Sequence, residues 1–72
     1  MTKEQFLTDM QDVLQTDEAL TMETALGDLV EWDSLSKMAT VAYLEKNFGT
    51  KLTFGEINAL VTVGDIAGKA GL

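Results

Sequence analysis

The sequence predicts an all-α fold: a four-helix bundle with a long loop between helices one and two and a short third helix. Apolar residues recur at helical spacing in four stretches, and each stretch opens on a Thr, Asp or Ser able to cap a helix. No segment sustains the alternation of a strand. The chain has 72 residues, of which 46% are apolar and 24% charged, which is ordinary globular usage and too hydrophobic for a disordered acidic tail. Residues 1–72 are therefore expected to form one domain. A domain of this size buries only about 60% of the surface its unfolded chain exposes, leaving a thin core and little room for a deep active site.

Thr2 and Gln5 have the spacing of a capping box. Phe6, Leu7, Met10, Val13 and Leu14 follow at helical spacing, so the first helix is expected to run to about Gln15. From Thr16 to Asp33 no period persists, yet Leu20, Leu26, Leu29 and Val30 are too apolar for a free linker. A loop this long in a small domain suggests function, and it is expected to be pinned onto the core with room for one short helical turn. Asp33 or Ser34 caps a second helix ending near Phe48, where Asn47 and Gly49 supply a stop. On a helical wheel its apolar arc is too wide for one contact. Val41, Leu44 and Phe48 are assigned to the interior, and Leu35, Met38 and Ala42 to an exposed strip. Thr53 with Glu56, and Thr62 with Asp65, repeat the capping pattern ahead of two short helices. The last contains Gly64 and Gly68, which either loosen it, at about 1 kcal/mol each relative to Ala, or permit close packing.

The chain contains no His, Cys, Pro or Arg. Zinc sites of the usual kind, thiolate nucleophiles, disulfides and imidazole bases are thereby excluded. No run approaches the roughly 20 apolar residues that span a bilayer, and a cytoplasmic location is expected. Five lysines against twelve acids give a net charge of −7, which disfavours nucleic acid and anionic membranes as partners. The charge is uneven: residues 1–33 carry −8 and residues 34–72 carry +1. The loop acids do not have the spacing of an EF-hand, so no metal site is expected.

Thr24-Ala25-Leu26-Gly27-Asp28-Leu29 leads to Asp33-Ser34-Leu35 at the start of the second helix. Asp-Ser-Leu alone is weak, since any helix can begin this way. Together with Phe48-Gly49, the Thr62-Val63-Gly64-Asp65-Ile66 entry to the last helix and the overall length, the chain resembles the acyl carrier protein family, which includes peptidyl carrier domains. The resemblance implies a non-enzymatic carrier with 4'-phosphopantetheine attached to Ser34 by a phosphopantetheinyl transferase using coenzyme A and magnesium. It implicates Asp33 in contacts with that transferase and its magnesium, and gives an acyl- or aminoacyl-loading enzyme, a synthase or an acyltransferase as further partners of a monomeric carrier. Leu35, Lys37, Met38 and Ala42 are the expected partner-binding residues. Leu26, Val30, Leu44, Phe48, Leu52, Leu60 and Ile66 match positions that line the family's acyl pocket. Trp32 is expected to pack under the loop rather than to stack beside the arm.

The second helix departs from the acidic rod that fatty-acid synthesis carriers present to basic partners. Between residues 34 and 48 it has one acid, Glu45, and two lysines, Lys37 and Lys46. Electrostatic mismatch slows association, so a specialised pathway, polyketide, peptide-type or other acyl transfer, is expected instead. The alternative is a helical protein-interaction adaptor without a prosthetic group.

Overall fold

Four helices form in the expected order in the computed structural model, which describes residues 1–72: α1 (Lys3–Leu14), α2 (Ser34–Phe48), α3 (Phe54–Asn58) and α4 (Val63–Lys69). A single 3-10 turn at Leu26–Asp28 interrupts the long loop. Each helix is opened by a reciprocal capping box, in which the cap side chain accepts from the third helical N–H and the third side chain accepts from the cap's own N–H. The pairs are Thr2 with Gln5, Asp33 with Ser36, Thr53 with Glu56 and Thr62 with Asp65. Such boxes satisfy donors that have no partner inside the helix. Two helices end in the left-handed region: α1 at Gln15 (φ 53°) and α2 at Gly49 (φ 67°). Gly49 adopts that conformation without Cβ strain.

The core runs from α1 through the loop to α4. Phe6, Met10, Leu14, Leu20, Leu26, Leu29, Leu44, Val63, Ile66 and Ala67 form one buried cluster. The loop thus contributes three leucines to the interior, which is what holds it down. Tyr43 joins α1 to α2: its ring lies beside Phe6 and Phe48, and its hydroxyl donates to Asp9 Oδ2 at 2.8 Å. Partial burial and the neighbouring Asp9 carboxylate hold the Tyr43 hydroxyl well above its ordinary titration range.

The far end of the loop is stitched to the turn before α4. The N–H of Leu26 donates to Val61 O (2.8 Å), that of Val63 to Thr24 O (3.0 Å) and that of Gly64 to Met22 O (2.7 Å), around an antiparallel bridge between Ala25 and Thr62. At Gly64 a Cβ would lie 2.7 Å from the Met22 carbonyl oxygen, whereas at Gly68 it would meet nothing. Close approach is therefore the role of Gly64 alone.

Two expectations about the interior need correction. Val30, expected in the acyl pocket, is 92% exposed; the chain turns so that its neighbour Leu29 enters the core instead. On α2 the inward line is Ser36, Thr40 and Leu44, and Val41 is only half-buried. This face can turn inward because its polar groups are paired locally: Ser36 Oγ bonds to Asp33, and the buried Thr40 hydroxyl donates to Ser36 O at 2.9 Å. Polar residues so paired are buried at little cost. Leu35, Met38 and Ala42 are exposed, as expected.

Candidate functional site

Asp33 and Ser34 sit where the pinned loop becomes α2. Asp33 is the N-cap: its Oδ1 accepts from Ser36 N–H at 2.9 Å. Ser36 Oγ accepts from Asp33 N–H at 2.9 Å and donates to Asp33 O at 3.1 Å. These three bonds fix the backbone on both sides of Ser34. Ser34 itself is the first helical residue, is exposed, and its hydroxyl makes no hydrogen bond within the protein. The N–H groups of Ser34 and Leu35 also have no protein acceptor. A free hydroxyl beside two unpaired N–H groups at the positive end of a 15-residue helix suits a covalently attached phosphodiester.

No side chain is placed to make Ser34 a nucleophile on its own, because the chain has no His and no Cys. Nor do three or more carboxylates gather as a metal-binding group. The Trp32 ring is half-buried against the core, and Lys37 Nζ lies 5.7 Å from its centroid. Lys37 is thus folded back over the loop in a cation–π contact, while Leu35 and Met38 project into solvent at 78% and 58% exposure.

The expected acyl-pocket residues divide. Leu26, Leu44 and Ile66 are fully buried, Phe48, Leu52 and Leu60 pack partly buried against the core, and Val30 lies outside it. None of the three main surface clefts is lined by Leu26, Leu44, Leu52 or Ile66. One of them opens beside Ser34, between the last turn of α1 and the first turns of α2. Sequence reasoning missed both this cleft and Ser36, although an Asp followed three residues later by Ser is a capping spacing of the kind recognised at the other helices.

The chain is a small helical bundle whose longest helix opens on an exposed serine. No protein-family model and no curated protein matches the sequence. Among solved structures, the solution NMR structure of holo acyl carrier protein from Geobacter metallireducens superposes with a TM-score of 0.74 at 32% identity, covering 94% of this chain and 79% of that one. The chain belongs to the acyl carrier protein family. It is a carrier and not a catalyst. No helix is long and apolar enough to cross a membrane.

Proposed function

We propose that residues 1–72 act as one carrier domain that holds an acyl or aminoacyl intermediate as a thioester on 4'-phosphopantetheine attached to Ser34, and delivers it to partner enzymes in a specialised pathway. The observation that carries this reading is the exposed, unbonded Ser34 hydroxyl, held at a helix start by the Asp33–Ser36 box. The prosthetic arm supplies a flexible thiol that keeps cargo at high local concentration near a docked enzyme. This chain supplies the attachment atom, two N–H groups without a protein acceptor that would be available to a phosphodiester, and a rigid mount.

Loading requires a phosphopantetheinyl transferase with coenzyme A. The Ser34 Oγ–phosphorus bond forms as the bond from phosphorus to the nucleotide part of coenzyme A breaks, and the serine proton passes to a base on the transferase. Asp33, the exposed residue that precedes Ser34 in the chain, contributes to that encounter. Leu35, Lys37, Met38 and Ala42 form the face offered to partners of a cytoplasmic, monomeric carrier. With Lys37 and Lys46 outnumbering Glu45 on α2, those partners recognise apolar contact more than an acidic stripe, which supports polyketide, peptide-type or other acyl transfer over housekeeping fatty-acid synthesis.

Coexpression with a broad-specificity transferase, followed by intact mass measurement, tests the reading. A phosphopantetheine-sized increase that disappears in Ser34→Ala supports it. No increase in the folded wild-type chain overturns it and leaves an interaction-only adaptor.

A further inference from the structure

Leu26, Leu44 and Ile66 are fully buried and line none of the three main clefts, and protein interiors at crystal-like density admit a chain only by moving side chains. The cleft beside Ser34 has space already. It measures about 570 Å³, and its apolar lining comes from Val13 and Leu14 of α1 and Leu35, Met38 and Ala39 of α2. Asp33, Leu35 and Ser36, on either side of Ser34 in the chain, line it, and Ser34 itself lies just outside the lining.

We propose that this cleft is the resting site of the arm's outer end and its cargo, and that it favours a cargo lacking a carboxylate. The inference rests on the carrier reading of Ser34. A group tethered at Ser34 meets the cleft at an effective concentration on the order of millimolar, so an apolar contact too weak to bind a free ligand is enough to occupy it. Leu35 and Met38, large apolar side chains left 78% and 58% exposed, line the cleft as well as the face offered to partners. Charge selects among cargoes. Glu31 and Asp33 stand in the lining and no lysine does, the nearest cation, Lys37, being drawn over Trp32. A cargo carboxylate is repelled there and a cargo ammonium is attracted.

The test uses the full chain, isotope-labelled and loaded by a broad-specificity transferase from propionyl-, β-alanyl- or malonyl-coenzyme A, with loading verified by mass. Backbone amide shifts are expected at Val13, Leu14, Gln15 and Ala39, larger for the propionyl and β-alanyl forms than for the malonyl form. Ala39→Glu, at an exposed position, abolishes the shifts at residues 13–15 while those next to Ser34 persist. Shifts confined to residues 33–37, as for an arm free in solvent and a cleft used only by partner enzymes, overturn the proposal. Shifts centred on Leu44, Leu52 and Ile66 also overturn it by placing the cargo in the core. Equal shifts for all three cargoes overturn the charge selection, and a failure to load at all removes the Ser34 reading along with this one.

Discussion

Gly64 and Gly68 share one short helix, yet the same substitution is expected to act in opposite directions at the two sites. An alanine Cβ at residue 64 lies 2.7 Å from the Met22 carbonyl oxygen, where ordinary contact begins near 3.4 Å. The loop backbone must therefore recede by about 0.7 Å. That carbonyl also accepts the Gly64 N–H at 2.7 Å, so displacement strains the hydrogen bond as it relieves the clash. Overpacking of this kind costs about 1–3 kcal/mol and a weakened backbone bond about 1 kcal/mol more, offset by about 0.5–1 kcal/mol of improved helix propensity. The net loss for Gly64→Ala is about 2 kcal/mol, which in a domain of this size lowers Tm by about 8–16 °C. Gly68→Ala meets no atom within 4 Å and gains about 0.5 kcal/mol, raising Tm by about 2–4 °C. Thermal unfolding followed by circular dichroism measures both. Equal effects of the same sign would show that the glycines act only through helix propensity, and would refute the close approach at Met22.

Ser36→Ala is expected to destabilise the fold by about 1 kcal/mol, because the Asp33 N–H loses its acceptor, and to speed hydrogen exchange at residue 33. Ser34→Ala is expected to stay within about 0.5 kcal/mol of wild type, and indistinguishable Tm values for the two variants would contradict the Asp33–Ser36 box. Acid sensitivity has a defined source in the caps of α3 and α4. Glu56 is held below its ordinary 4.5 by the Thr53 N–H, and Asp65 below its ordinary 3.8 by the N–H groups of Val61 and Thr62. With folded values below unfolded ones, their stabilisation is present above the unfolded range and is lost as pH falls through the folded values. The Tm gap between wild type and Asp65→Asn should therefore close as pH falls below about 4, and a gap constant with pH would show that the Asp65 charge is not involved.

What could be read from the sequence was what short-range chemistry encodes. Caps, ends and the helical turn in the loop depend on residues within four positions of one another, and all four helices start where Thr2, Asp33, Thr53 and Thr62 place them. The face of α2 was less legible. Hydropathy alone favours Val41 over Thr40, and only the bonds from Thr40 to Ser36 and between Ser36 and Asp33 show how the polar pair is satisfied once buried. Val30 and Leu29 are adjacent and comparably apolar, so the choice between them is made by the loop's path. That path is fixed by backbone bonds between residues 22–26 and 61–64, which leave no side-chain pattern except a glycine at 64. The cleft beside Ser34 is less legible still, since it arises from how the end of one helix meets the start of another.

That meeting sets the electrostatic character of the site. The C-terminal turn of α1, Val13–Gln15, lines the cleft, and it carries no basic residue to offset the negative pole of that helix. The α2 terminus brings the opposite pole, with the free N–H groups of Ser34 and Leu35. A tethered group running from Ser34 into the cleft therefore passes from a region that favours a phosphodiester to one, edged by Glu31 and Asp33, that favours neutral or cationic ends. Partner enzymes that use Leu35 and Met38 as their apolar contact must cover the mouth of the same cleft. On the proposed cleft reading, docking competes with the cargo for those two side chains, which couples binding of a partner to release of the arm toward it. The carrier needs no moving part of its own for this, only a rigid junction, which the loop leucines and the seam to α4 provide.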